Sequence, residues 1–565
     1  MNATKRPFTK TDLPAPDLTL EDELSTKFSP KSLLYTTVST NFVPKEVPSD
    51  APLTLVPELD KYVANGYGHY TANNKGIPIR QRLDLMEQPS RHKSEKKPKS
   101  LLHFFSISDI HITDKESPTQ AIQLAFLHQS LSAYSGVMLY TTQVLNATVK
   151  TINTIHKARP VDFGISLGDT CNNTQQNETQ WYINILNGGD IEPSSGDHVG
   201  AATIDYQKPY KAPGLGKIPW YQVIGNHDKF WMGTNVVSQY IKDTYVGSDI
   251  LKMGDIFKPG GINERDYYMG VLDCNTPNGN ISGAGLVTAI HPQTIKADES
   301  RRSLSSQEWM GEFIAAGGHP AGHGFQQKNI DNNFASYSFK PKSNIPIKVI
   351  VLDVTQKNND LNENGYGHGT LDKERYNWLV QELEDGQNND QLMIIAAHIP
   401  IGVEAPGSLT GWRKKATATQ DGSYVSEAEL IDKLHSYPNF ILWMAGHRHV
   451  NIIKAFKSPA PVHPELGFWQ VETASLRDFP QQFRTFEIFR NSDNTLSILT
   501  LNVDPLEDEA GLVAKSRSYA IGGQQIWGNG PFAPTEDISI TPTSFNEELL
   551  ITLSSKMQKK LQKCK

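Results

Sequence analysis

The sequence predicts an α/β sandwich built on strands that are buried on both faces. Three observations carry this. Short apolar runs recur after residue 100, helical stretches separate several of them, and side chains able to hold a metal follow five of the runs directly. The runs are LLHFFSIS (101–108), VDFGISL (161–167), IPWYQVI (218–224), IKVIVLD (347–353), QLMIIAA (391–397) and FILWMA (440–445). They lack clean alternation, which suits strands covered on both sides. FWQVETAS, FRTFEIFR and LSILTLNV read as further strands closing the sheet. In TTQVLNATVKTINTIHKA (141–158), Val144, Leu145, Val149, Ile152 and Ile155 recur at helical spacing and Pro160 follows the end. DKERYNWLVQEL (372–383) reads as a second helix, and strands alternating with helices argue a layered α/β domain.

Composition bounds the answer further. A chain of 565 residues is two to four domain equivalents, or one large domain enlarged by insertions. Hydrophobic content of 38% and charged content of 20% are ordinary for a soluble globular protein. A net charge of −7 gives no broad basic field for nucleic acid. Three cysteines, Cys171, Cys274 and Cys564, exclude a disulfide-dense scaffold and read as free thiols. No stretch reaches the apolar length needed to cross a bilayer, and MNATKRPFTK has no signal-peptide core. The expected address is therefore soluble, cytoplasmic as given, or exported if a leader precedes this chain. The triplets at Asn146, Asn172, Asn177 and Asn280 fit glycosylation by pattern but are expected by chance in an Asn-rich chain.

Residues 1–99, rich in Pro, Thr and Lys, read as an extended arm ending in the solvated run RHKSEKKPKS. The stretch from about 229 to 340, punctuated by GGIN, PNGN, SGAG and AAGGHPAGHG, reads as a loop-like insertion that lids or lines a site. Residues beyond 503 form a C-terminal extension whose end, LLITLSSKMQKKLQKCK, is a Lys-rich helix candidate.

Ligands of open α/β sheets bind at the carboxyl ends of strands. Directly beyond five strand candidates stand Asp109-Ile110-His111, Gly168-Asp169, Gly225-Asn226-His227-Asp228, His398 and Gly446-His447-Arg448-His449. Phosphate esters resist attack because their oxygens repel an incoming anion. Two divalent cations roughly 3.5–4 Å apart neutralise that charge. Carboxylate and imidazole suit Mn, Fe and Zn, and one carboxylate can bridge two ions. Glycines before Asp169, Asn226 and His447 relieve the backbone where donors crowd. Singly, each motif has a plainer reading: a helix cap for a lone Asp, a packed or surface residue for a lone His, turn chemistry for Asn-His-Asp. The ordered set is what carries the signal. Arg448 reads as a solvated strand-end residue, and His291, His319, His323 and His368 as solvent-facing or substrate-contacting loop histidines rather than a third metal site.

This order of motifs resembles the calcineurin-like metallophosphoesterase superfamily, in the bacterial-type branch with long insertions between motifs. The likeness covers about 100 to 502, supported by ASYSFKPKSNIPIKVIVLDVTQ, GTLDKERYNWLVQEL and GFWQVETASLRDFPQQFR. It implies a β-sandwich flanked by helices in αββα layers, and hydrolysis of a phosphomonoester or phosphodiester by a metal-bridging hydroxide. Asp109, His111 and His449 would hold one metal and Asn226, His398 and His447 the other, with Asp169 bridging. His227 would sit beside the phosphoryl group and protonate the leaving oxygen, and Asp228 would orient it. The ions would be Mn, Fe or Zn, and the partner a small-molecule or nucleotide-like phosphate ester. One departure stands out: many relatives continue the second motif as GDxxD, whereas GDTCN puts Asn172 there. Two other classes stay open, a phosphoesterase-like binding scaffold without catalysis and a mononuclear zinc hydrolase of another ester.

Overall fold

The computed structural model describes residues 28–563, except 29, 87–97, 124–135, 198–199, 201, 255–259, 274–278, 293, 361–364, 404–410, 413–423, 507–510 and 530–545. Cys274, Cys564 and most of the RHKSEKKPKS run lie outside the described residues, while Cys171 is a buried free thiol.

Two sheets make a mixed α/β sandwich. In chain order their strands are β1 (Arg80–Arg82), β2 (Lys99–Ile107), β3 (Phe163–Ser166), β4 (Trp220–Gln222), β5 (Tyr337–Phe339), β6 (Ile347–Leu352), β7 (Leu392–Ala397), β8 (Phe440–Ala445), β9 (Ile452–Phe456), β10 (Phe468–Glu472), β11 (Phe483–Arg490), β12 (Leu496–Val503) and β13 (Glu547–Ile551). The seven-stranded sheet has the order β1-β13-β12-β11-β2-β3-β4, and the six-stranded sheet β5-β6-β7-β8-β10-β9. Parallel pairing joins β2 to β3 and β3 to β4 in the first sheet, and β6 to β7 to β8 to β10 in the second. Their carboxyl ends therefore open on one rim. That rim is where the five motifs stand.

Side-chain parity explains why the runs do not alternate. In β6, β7 and β8 all six residues are buried. Val349, Val351, Ile394, Ala396, Leu442 and Met444 share one buried cluster with Leu102, Phe104, Phe486 and Ile488 of the opposing sheet. Their neighbours Ile350, Leu352, Met393, Ile395 and Trp443 point the other way. They pack with Leu379 and Leu383 of helix α2 (Lys373–Asn388) and Leu430 and Leu434 of helix α3 (Glu427–Leu434). Successive residues face opposite sides of a strand, so a sheet covered on both sides must be apolar at every position. Helix α1 (Thr141–Ala158) matches the expected span and buries Val144, Leu145, Val149, Ile152 and Ile155. The core's centre is aromatic: Phe104 stacks on Phe163 at 4.8 Å and on Phe486 at 4.9 Å between centroids.

Residues 229–340 carry more regular structure than their punctuation suggested. They contain a helix at Gln239–Val246, another at Ser306–Ala316, and a three-stranded antiparallel sheet of Lys252–Met253, Tyr267–Asp273 and Asn280–Leu286. Glycines inside those strands, such as Gly270, Gly283 and Gly285 at positive φ, break the period-two signal that would have revealed them. The last segment also divides, into β13 and a helix at Ser555–Gln562, rather than forming one helix. Outside 100–502, β1 pairs parallel with β13, and Arg82 donates to Glu547 at 2.9 Å across that pair. Asn146, Asn172 and Asn177 are all buried, so the folded chain offers none of them to a glycan.

Removing the centre of the aromatic stack should cost what cavity-forming core substitutions cost. Phe104→Ala is expected to lower unfolding free energy by about 3–5 kcal/mol, read as a fall in the urea midpoint with an unchanged slope.

Candidate metal centre

The donors converge because the loops beyond the strands continue the sheet's hydrogen bonding. Asp109 N donates to Gly168 O at 3.1 Å, His111 N to Asp169 O at 3.0 Å and Ile112 N to Thr170 O at 2.9 Å. Within the second sheet Gly446 N donates to His398 O at 2.9 Å, and across the sandwich His447 N donates to Asp109 Oδ2 at 2.9 Å. Five of the donors, Asp109, His111, Asp169, His447 and His449, lie at φ between 47° and 72°. That left-handed backbone turns Asp109 and His111 toward one donor group and His447 and His449 toward two neighbouring ones, at a cost non-glycine residues rarely bear. Two glycines make room for it. A Cβ on Gly225 would lie 2.2 Å from Asp169 Oδ1, and one on Gly446 would lie 2.4 Å from Asp109 Oδ2.

Three donor groups result, each with ligand atoms within 4.8 Å of one another: Asp109, His111 and His449; His111, Asp169 and His227; and Asp169, His398 and His447. In the first, His111 Nε2 and His449 Nε2 are 3.1 Å apart, and His449 Nε2 is 3.4 Å from Asp109 Oδ1. In the third, His398 Nε2 lies 3.2 Å from Asp169 Oδ2, 3.2 Å from His447 Nδ1 and 2.9 Å from Asn226 Oδ1. Asp169 Oδ2 is also 3.7 Å from His111 Nε2, so one carboxylate oxygen borders both clusters. The outer ring nitrogens have fixed duties. His398 Nδ1 donates to Leu167 O at 2.8 Å and His449 Nδ1 to Asp478 Oδ2 at 2.5 Å, which leaves each Nε2 facing the cluster. Among the described residues, buried Asp109 Oδ1 and His447 Nε2 have no hydrogen-bond partner. Converging imidazole nitrogens, two carboxylates and orphaned buried acceptors fit divalent cations of the Mn, Fe or Zn kind.

Electrostatics agree with that fit. Burial opposes charge on His398, yet the Asp169 and Asp109 carboxylates hold its pKa up at about 9. Burial likewise opposes charge on His449, and Asp109 and Asp478 raise it to about 10. His447 goes the other way, down to about 3, through burial and the neighbouring His398. Burial and His227 hold His111 well below its ordinary range. Burial pushes the Asp169 carboxyl up, but His398 and His227 outweigh it and keep Asp169 ionised.

The remaining expected residues fall as follows. His227 borders the cluster, its ring 4.4 Å from that of His111 and edge-on to it, with Nδ1 donating to Asn172 O at 2.7 Å. Asp228 does not reach that ring. Its carboxylate accepts from the backbone N of Gly225 (2.8 Å), Asp169 (3.0 Å) and Thr170 (2.9 Å), so it ties two loops together beneath the donors. Arg448 is not a free rim residue. It makes a bidentate pair with Glu472 at 2.6 and 2.7 Å, because that fully buried carboxylate needs a partner. His323 stacks on Trp220 at 3.5 Å, His291 and His319 are exposed, and His368 N bonds Gln356 Oε1. Among the described residues none of these four joins a donor group. Asp478 and Arg477 were not foreseen. They stand in the turn after β10, where a lone Asp reads as an ordinary turn residue.

No family model matches the chain, and no curated protein does. One solved structure that it resembles is a dimetal phosphatase from Danio rerio, at 11% sequence identity, covering 72% of this chain and 98% of that one with a TM-score of 0.35. That likeness is too distant to bear on activity. Among the described residues no helix is long and apolar enough to cross a membrane.

Two outcomes are expected. Asp478→Asn should weaken metal retention by about 10–100-fold, measured by competition with a chelator of known affinity. His398 and His449 carry raised pKa values, so they hold protons at neutral pH that a metal must displace. Metal affinity should therefore climb as pH rises toward about 9–10, with proton release visible by calorimetry in buffers of differing ionisation enthalpy.

Proposed function

We propose that this chain is a two-metal hydrolase of phosphate esters, acting on a phosphomonoester or phosphodiester. The observation that carries the reading is Asp169 Oδ2, 3.2 Å from His398 Nε2 and 3.7 Å from His111 Nε2, which puts a single oxygen between two imidazole-rich clusters. Asp109, His111 and His449 would hold one ion, and Asn226, His398 and His447 the other, with Asp169 shared. Bound there, two cations would neutralise the phosphate oxygens and ease deprotonation of a nearby water.

The chain's own groups have distinct tasks in this reading. Asn226 directs Oδ1 into the cluster because its Nδ2 donates to Gly233 O at 3.1 Å, which fixes the amide's orientation. His227 keeps Nδ1–H on the Asn172 carbonyl, so Nε2 is the atom free to exchange a proton. Beside a phosphoryl group Nε2 takes up a proton, and the resulting imidazolium steadies charge and delivers that proton to the departing oxygen. Asp228 serves indirectly by holding the backbone of Asp169 and Gly225. Partial exposure of His227, His447 and His449, against burial of Asp109, Asp169 and Asn226, marks the side from which substrate arrives.

Asp169→Asn and His398→Ala should each abolish metal-dependent hydrolysis of an aryl phosphate while the circular-dichroism spectrum stays native. Equal turnover by wild type and both variants sinks the reading. His227→Ala should keep two metals per chain and lose about 10²–10⁴-fold in kcat. Elemental analysis showing a lost metal would make His227 a ligand instead.

A further inference from the structure

Asn172 occupies the position where GDxxD sequences have a carboxylate, and every polar atom it has is committed. Its N donates to Ile112 O at 2.9 Å and to Glu178 Oε2 at 3.0 Å, and its Nδ2 donates to Gln120 Oε1 at 2.8 Å. Its Oδ1 accepts from Arg477 Nη1 at 2.6 Å, and its main-chain O accepts from His227 Nδ1 at 2.7 Å. Arg477 is itself 2% exposed. The same Nη1 reaches Thr113 Oγ1 at 3.0 Å and His111 O at 3.2 Å. Its own backbone N donates to Ser475 Oγ at 2.9 Å, and that hydroxyl donates to Asp109 O at 2.7 Å. One guanidinium thus binds the loop after β2, the loop after β3 and the turn after β10 into a single body.

We infer that Arg477, acting through Asn172, is a positioning residue that sets the ring orientation and tautomer of His227. The reason is chemical. A main-chain carbonyl only accepts, so it requires hydrogen on Nδ1 and turns Nε2 toward the donors. The carbonyl does this only while the peptide of Asn172 keeps its direction. Arg477 and Gln120 hold the side chain, and Glu178 accepts from Asn172 N and, at 3.0 Å, from Asn173 N, the N–H of the same peptide plane as that carbonyl, which leaves that peptide no rotation. A neutral carbonyl, unlike a carboxylate, orients the ring without adding negative charge next to two metal sites, so its grip depends on placement alone. This assignment rests on His227 being the proton donor to the leaving oxygen.

The test compares metal-loaded wild type, Arg477→Gln, Asn172→Ala, His227→Ala and the Arg477→Gln/His227→Ala double variant. The substrates are aryl phosphates running from 2,4-dinitrophenyl to phenyl, with metal content measured for each protein. The lost proton donor matters most when the leaving oxygen is basic. Arg477→Gln should therefore lose about 10-fold or more in kcat on phenyl phosphate, the range of a lost orienting partner, and almost nothing on the dinitrophenyl ester, with KM and two metals retained. The double variant should be no slower than His227→Ala. A loss equal for all leaving groups, or one that multiplies with that of His227→Ala, overturns the assignment. Asn172→Ala keeps the carbonyl but cuts the link to Arg477, so it must show the same leaving-group dependence should Arg477→Gln fail to fold. A second readout is independent of turnover: in ¹⁵N-histidine-labelled protein the His227 resonances, identified by their loss in His227→Ala, should show the Nδ1–H tautomer in wild type and a tautomer mixture in Arg477→Gln. An unchanged tautomer overturns the clamp. If His227→Ala instead hydrolyses phenyl phosphate as fast as wild type, the proton-donor role fails while the tautomer still reports on Arg477.

Discussion

Five metal-capable side chains are held in left-handed backbone, and the rest of the molecule is organised around making that tolerable. Each such residue costs about 1–3 kcal/mol, against a net stability for whole domains of only about 5–15 kcal/mol. The conformation persists because it is over-determined. Cross-loop hydrogen bonds fix the backbone of Asp109, His111 and Asp169, Asp228 accepts from three amides beneath them, and Gly225 and Gly446 leave the space. The sandwich supplies the anchor. Its parallel strands end on one rim, and their all-buried faces resist the small shifts that would relax the loops.

The same geometry concentrates charge that a protein interior ordinarily excludes. Two carboxylates and five imidazoles share a pocket whose carboxylates and Asn226 are buried. Their protonation states diverge sharply, with His398 and His449 pushed up and His447 and His111 pushed down. Neighbouring groups of one type driven apart in this way belong to sites rather than to cores. The fold bears this frustration because polar ties surround it: Arg448 with Glu472, and Glu178 with three backbone amides. Stability and chemistry are bought from separate parts of the structure.

How much could be read beforehand differed by element. The strands of the sandwich core and helix α1 announced themselves, since a strand apolar at every position or a helix with a clean stripe needs no partner to be recognised. β1, the tripeptide RQR, could not be seen, because its strand character comes only from pairing with β13. The strands of the 229–340 region were hidden by their own glycines. At the centre, the metal-capable residues were visible as motifs because function demands particular atoms at short spacing. Asp478 and Arg477 were not, because their parts are played by a turn carboxylate and a distant guanidinium, and Asn172 stood out only as a departure from GDxxD, not for the carbonyl that meets His227. For Asp228 the resemblance implied an orienting role toward His227, whereas its carboxylate accepts from the backbone amides of Gly225 and Asp169.

The pairing of β1 with β13 has a kinetic side. Arg80 and Glu547 are 467 residues apart along the chain yet close the same edge of the larger sheet. During synthesis β12 must wait with one side unpaired until residues 547–551 have been made. All eight of its residues are buried in the finished fold and five are apolar, so the waiting edge is long and attractive to other chains. Closure across a separation of 467 residues comes late, and until it happens the open edge is a place where other chains can pair.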